Sequence, residues 1–74
     1  MNKFAEYCYL TNESAKDQPH WRAGQTCMNI LARFDPETYS EILYTDLDCF
    51  YQDSKLTKLM AYLLNKWSED ASNL

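Results

Sequence analysis

Seventy-four residues can enclose one hydrophobic core, and a chain this short buries only roughly 60% of the surface it exposes unfolded, which excludes a large self-contained enzyme. Hydrophobic residues are 46% of the chain, with one Gly and two Pro, a globular composition that excludes a disordered or fibrous protein. Eleven acidic against seven basic residues leave a net charge of -4, which argues against a general phosphate-holding surface.

Taken in chain order, Asn2 to Leu10 brings Phe4, Tyr7, Cys8 and Leu10 onto one face and reads as a helix. The polar run from Thr11 to Gln18 reads as an exposed connection. A second helix is predicted to open at Pro19, because proline lacks the N–H that a first helical position leaves unpaired. It continues through Trp21, Gly24, Met28, Leu31 and Phe34, with Cys27 and Ile30 widening the apolar stripe as in a central helix that touches two neighbours. Gly24 costs about 1 kcal/mol in a helix interior, so it is expected to admit a close backbone or a large ring such as Trp67.

Asp35, Pro36 and Glu37 form a helix start, as N-cap, first helical residue and first-turn acid. That third helix spans about Pro36 to Tyr44 and buries Tyr39, Ile42 and Leu43. Thr45 to Gln52 fits neither a strand nor a long helix and reads as one helical turn or a tight loop pinned by Leu47 and Phe50. From about Lys55 to Ser68, Leu56, Leu59, Met60, Leu63, Leu64 and Trp67 recur at helical spacing, with Asp53 or Ser54 placed as N-cap. Residues 69–74 lose the periodicity and are expected to fray. The predicted architecture is all-α: one domain over residues 1–74, a compact bundle of three to four short helices.

Met1 to Leu10 is followed by no apolar run of signal-peptide length, and no window approaches the roughly 18 apolar residues of a membrane span. The expected compartment is the cytoplasm. There Cys8, Cys27 and Cys49, an odd set without a C-x-x-C pair, read as small apolar residues. His20, the one histidine, reads as a surface or capping residue, so neither a metal site nor a cofactor is expected. Asp46, Asp48 and Asp53 superficially resemble a calcium loop, but Phe50 stands at the fifth position, Tyr51 at the glycine and Thr57 at the twelfth, so the pattern fails. No nucleophile or phosphate-binding loop accompanies the carboxylates, which points away from catalysis.

From Asp35 to Asp53 there are six carboxylates, Asp35, Glu37, Glu41, Asp46, Asp48 and Asp53, and no Lys or Arg. The expected consequence is a negative side that repels nucleic acid and attracts a basic partner. A helix-turn-helix reading fails on the same ground, because its recognition helix would present Glu37 and Glu41 to phosphates. Three of the six acids also suit caps and first turns, and acidic surfaces serve solubility, so structural roles stand beside the functional one. Six tyrosines are more than a small core hides comfortably, and Tyr9, Tyr44, Tyr51 and Tyr62 are candidates for an exposed patch.

Trp21-Arg22-Ala23-Gly24-Gln25, Asn29-Ile30-Leu31 and Thr45 through Ser54 resemble a group of short, uncharacterised proteins of tailed phages and prophages. The likeness spans roughly residues 21–67: a W-R-x-G-Q helix, a T-D-L-D-x-F-Y-x-D-S turn, and an apolar helix ending near a tryptophan. Where that group carries Pro in the turn, this chain has Cys49, which implies a less rigid turn. The resemblance supplies no catalytic residues; it implies a gene of a phage or mobile element, whose small proteins often bind and inhibit host enzymes or defence complexes.

The expected function is therefore a non-enzymatic interaction protein. It docks an acidic, tyrosine-bearing face, Glu37, Glu41, Asp46, Asp48 and Tyr51, onto a basic surface of a host protein. One route is mimicry of nucleic acid, with the carboxylates in a phosphate groove of a nucleic-acid-binding enzyme or a CRISPR-type complex; no direct nucleic-acid or membrane binding is expected. Reversal of Glu41, Asp46 and Asp48 to Lys is expected to abolish binding while leaving the helical signal intact. The alternative is a structural module that closes a homodimer through exposed aromatics and the Leu56 to Trp67 face, with the acids only keeping it soluble.

Overall fold

The computed structural model describes residues 2–72, with side-chain surroundings through Ser68. Four α-helices follow in order, α1 (Lys3–Asp17), α2 (Ala23–Phe34), α3 (Pro36–Ile42) and α4 (Leu56–Ser72), with a 3-10 helix at Asp53–Lys55 leading into α4. No strand occurs among the described residues. The chain is thus the all-α bundle that its apolar spacing predicts, with α2 packed on α1, α3 and the 3-10 helix while α4 lies on α1.

Helix α1 begins as its sequence suggests: Asn2 Oδ1 accepts from the Ala5 N–H at 2.8 Å, an N-cap. It ends seven residues beyond Leu10, at Asp17, so the polar run to Asp17 is helical and not a connection. Physical chemistry permits this, because nothing from Thr11 to Asp17 breaks a helix and Lys16 meets Glu13 one turn back at 3.5 Å. Pro19 ends the run. The residue before a proline is driven out of the α region, and Gln18 sits at φ -126°, ψ 66°. Proline therefore terminates α1 and does not open α2, which starts four residues later at Ala23.

Asp35 caps α3 as expected, its carboxylate accepting from the Thr38 N–H at 3.2 Å and from the Thr38 hydroxyl at 2.7 Å. Helix α3 stops at Ile42, two residues short of Tyr44. The last helix also departs from expectation at its start, since neither Asp53 nor Ser54 caps it: Asp53 opens the 3-10 turn and α4 begins at Leu56. At the other end α4 runs four residues past Ser68, through the stretch expected to fray as far as Ser72. Asn73 and Leu74 lie outside the described residues.

The core gathers Tyr7 from α1, Met28 and Leu31 from α2, Ile42 from α3 and Leu59 and Leu63 from α4, all with 2% exposure or less. Each buried aliphatic side chain of this size contributes about 1.5–3 kcal/mol. One end is aromatic: Trp67 meets Tyr7 at 5.3 Å and Phe34 at 5.6 Å between ring centroids, edge to face, the geometry that ring quadrupoles favour. Lys3 lies 5.3 Å above the Trp67 ring. The Tyr7 hydroxyl donates to the Cys27 carbonyl at 2.7 Å, and the buried Thr11, Thr26 and Thr38 hydroxyls each donate as well, so little polarity is buried unpaired. Leu64, read from sequence as part of the inward stripe, is 49% exposed.

Candidate functional site

The segment between α3 and the 3-10 helix is built on the start of α2. Arg22, the N-cap residue of α2, makes no side-chain cap of its own. Its guanidinium instead reaches across to donate to the Phe50 carbonyl at 2.8 Å. The unpaired first turn of α2 is served by Asp53, whose Oδ1 accepts from the Gly24 N–H at 3.0 Å and lies 3.7 Å from Arg22. Cys49 is wholly buried against the same place, its thiol donating to the Gly24 carbonyl at 3.5 Å. Burial pushes the Cys49 thiol up to about 11.

Gly24 makes this possible. A Cβ there would overlap the Cys49 carbonyl oxygen and come within 2.9 Å of Asp53 Oδ1. The close neighbour expected at Gly24 is therefore the backbone at Cys49, not the Trp67 ring. The Trp21–Gln25 and Thr45–Ser54 segments, separate in sequence, meet here.

With that anchor in place, the tip of the loop takes an unusual form. Tyr44 has φ 66°, the one non-glycine residue with positive φ among the described residues, a left-handed conformation that costs an L-residue roughly 1–2 kcal/mol. Asp48 holds it there: Oδ2 accepts from the Tyr44 N–H and Oδ1 from the Phe50 N–H, both at 3.0 Å. The Thr45 hydroxyl accepts from the Leu47 N–H at 3.2 Å and donates to the Ile42 carbonyl. Leu47 and Phe50 pack on the core from partly buried positions, as expected, while Cys49 supplies the deepest anchor.

This loop leaves two large rings in solvent, Tyr44 at 89% and Tyr51 at 82% exposure. They share an open cleft of about 250 Å³ with Thr45, Asp48, Gln52 and Lys55. A smaller adjoining hollow of about 160 Å³ is lined by the same two tyrosines and Asp48, with Tyr39, Leu43 and Phe50. Of the other tyrosines singled out in the sequence, Tyr9 is 54% exposed and Tyr62 partly buried.

The carboxylates from Asp35 to Asp53 do not form an unopposed negative face. Lysines and arginines absent from that segment reach it from other elements: Lys3 at Asp35 (3.0 Å), Lys66 at Glu41 (3.3 Å), Lys58 and Lys55 at Asp46 (2.8 and 3.8 Å) and Arg22 at Asp53 (3.7 Å). The hydrogen bond and charge of Lys58, joined by Lys55, hold the Asp46 carboxyl below its ordinary range. Burial alone would raise Asp35, but the Thr38 hydroxyl, the Thr38 N–H and Lys3 outweigh it and hold it at about 2. Glu37 and Asp48 are the two acids of the segment in no ion pair among the described residues.

Of the five residues read as a partner-binding set, the cleft unites two, Asp48 and Tyr51. Asp46 approaches it through Lys55. Glu37, exposed in the first turn of α3, and Glu41, tied to α4, line neither hollow. Tyr44 belongs to the site more closely than either; its ring was legible as a surplus aromatic, its left-handed backbone was not.

A wider cleft of about 590 Å³ lies between α1, α2 and α4, bordered by Cys8, Thr11, Trp21, Leu56 and Met60. Its lining is mostly apolar, and the Thr11 and Thr26 hydroxyls are spent on their own helix backbones. Among the described residues no three His, Cys, Asp or Glu side chains converge as a metal site, and no helix is long and apolar enough to cross a membrane.

Compared with protein-family models, curated proteins and solved structures, the chain has no significant match.

Proposed function

We propose that this chain is a non-enzymatic interaction protein of phage or mobile-element type that binds and inhibits a host protein through the side bearing Tyr44, Asp48 and Tyr51. The observation that carries the reading is the pair of rings held 89% and 82% in solvent by a loop whose backbone is fastened at Asp48, Thr45 and Arg22. Tyrosine is enriched where proteins meet, because its ring contributes apolar area and its hydroxyl tolerates a wet rim. Ordering the loop in advance reduces what association must spend in conformational entropy. Non-glycine residues held at positive φ concentrate at such sites.

The net charge of -4 and the exposed Glu37 favour a partner with a basic surface, such as a nucleic-acid-binding enzyme or a defence complex of CRISPR type. The resemblance of Trp21–Gln25 and Thr45–Ser54 to short proteins of tailed phages supports the mobile-element origin, and with it a cytoplasmic site of action. The homodimer alternative has less to draw on: Leu59, Leu63 and Trp67 of the face it needs are spent on the core, and Leu64 alone of that stripe is well exposed.

The test compares capture from a bacterial lysate by the parent chain and by a Glu37→Lys/Tyr51→Ala variant, at low and high salt. The expected result is a basic host protein held by the parent at low salt, released at high salt and depleted about tenfold with the variant. Equal capture by both chains, or recovery of the chain itself alone, overturns the proposal.

A further inference from the structure

Resting on that reading, we infer that the cleft between Tyr44 and Tyr51 seats an arginine side chain of the partner, its guanidinium against the tyrosine rings and paired with Asp48. Three observations converge on this occupant. First, the two rings and Asp48 line both the 250 Å³ cleft and the 160 Å³ hollow beside it. Ligand pockets run about 300–1,000 Å³, so each of these spaces is of the size that one side chain fills.

Second, among the described residues Asp48 has no cationic side chain within 4 Å. Every other carboxylate from Asp35 to Asp53 except Glu37 has a Lys or Arg within 4 Å. A carboxylate offers about four lone-pair sites; in Asp48 the Tyr44 and Phe50 N–H groups take one on each oxygen. Asp48 also lines a hollow bordered by Tyr39, Tyr44, Phe50 and Tyr51. Lys55, the cation on the rim, is drawn toward Asp46 at 3.8 Å.

Third, the chemistry of the lining favours a flat cation. A guanidinium is planar and weakly hydrated and lies against aromatic faces while donating in its own plane, whereas an ammonium is a compact, strongly hydrated point charge. Tyr51 is itself buttressed, with the Phe50 ring edge-on at 4.8 Å, and the backbone that carries Tyr44 is fixed through its N–H by Asp48.

The test is a titration of the whole chain with acetyl-Gly-Arg-Gly-amide, followed by amide shifts in two-dimensional NMR. Saturating shifts confined to residues 44–52 are expected. The isosteric, uncharged citrulline peptide should bind about fivefold more weakly or worse, and Tyr51→Ala should remove the response while the helical spectrum stays. No saturable shift, or equal binding of the citrulline peptide, overturns the arginine seat. Tyr44→Gly guards against a purely structural explanation, because it relaxes the backbone while deleting the ring: retained fold with lost peptide binding supports the seat, and retained binding overturns it. The two proposals fail separately. A host protein captured by the parent and lost with Tyr44→Gly/Tyr51→Ala, in a chain that shows no saturable arginine-peptide shift, overturns the seat alone, whereas a saturable arginine site in a chain that captures no host protein supports the seat and overturns the inhibitor.

Discussion

The Asp53 carboxylate, at the entrance to α4, accepts a hydrogen bond from the Gly24 N–H in the first turn of α2, 29 residues earlier, at 3.0 Å. One residue thus supplies a helix cap that its own neighbourhood does not use, and it ties the Thr45–Ser54 loop to the centre of the bundle. Asp53→Ala should lower stability by about 1 kcal/mol, the usual value of an N-terminal cap, while Asp53→Asn should restore most of it. Urea denaturation followed by circular dichroism measures both; an unchanged midpoint for the alanine variant would show that water serves Gly24 as well.

Gly24→Ala pits local against tertiary energetics. Helix propensity alone favours alanine by about 1 kcal/mol, but the new methyl group meets the Cys49 carbonyl, a backbone atom that no rotamer change can move. Overpacking of this kind costs typically 1–3 kcal/mol, so a net loss of up to about 2 kcal/mol and a lower thermal midpoint are expected. A stabilised variant would place the loop farther from α2.

The left-handed Tyr44 makes the opposite prediction. Tyr44→Gly releases roughly 1–2 kcal/mol of backbone strain and gives back about half of it to the greater freedom of an unfolded glycine. A gain of about 0.5–1 kcal/mol, read by denaturation, accompanies the loss of the exposed ring. A stabilising change that weakens binding would mark the strain as the cost of presenting Tyr44.

Acid should unfold the protein partly through Asp35. Its carboxyl sits at about 2 in the folded chain against an ordinary 3.8, and its side chain is only 14% exposed. A depressed folded value means that the contribution is complete above the unfolded value and disappears as the pH falls from about 4 through 2. The shift corresponds to about 2 kcal/mol. Asp35→Asn should lose that stability at pH 7 and show a flatter stability profile between pH 4 and 2; an identical slope for both chains would remove Asp35 from the account.

Thiol chemistry should follow burial. Cys49 and Cys27 are shut in the core and Cys8 is half-buried, and burial raises all three thiols. A disulfide reagent at pH 8 should therefore label Cys8 first, with Cys49 reacting only as fast as the structure opens. Equal rates for the three would contradict the packing of Cys49 on Gly24.

The reversal of Glu41, Asp46 and Asp48 is a poorer probe of binding than the sequence suggested, because these side chains hold Lys66, Lys58 and the Tyr44 turn. Tyr51 is exposed and in no cap among the described residues, so it separates binding from folding, whereas Glu37, in no ion pair among them, still favours the first turn of α3 by its charge.

The sequence alone determined that four helical segments exist and most of the core, though not the second half of α1, because the apolar spacing of Leu56 to Trp67, the stripe from Gly24 to Phe34 and the Asp35-Pro36 cap are local signals that need no partner, whereas the polar run to Asp17 carries no such stripe. It determined the surplus of tyrosines for the same reason. It misplaced the start of α2 because proline suits both a first helical turn and the position just after a helix, and the residue that caps the true first turn lies 29 positions away. The tertiary structure decided the electrostatics, since the lysines and Arg22 that face the acids of Asp35 to Asp53 come from elements distant in sequence. It also decided the site: the left-handed Tyr44, its tie to Asp48 and the cleft they share with Tyr51 exist because Cys49, Phe50 and Asp53 are fastened to one end of α2, and long-range contacts of that kind carry no periodicity to read.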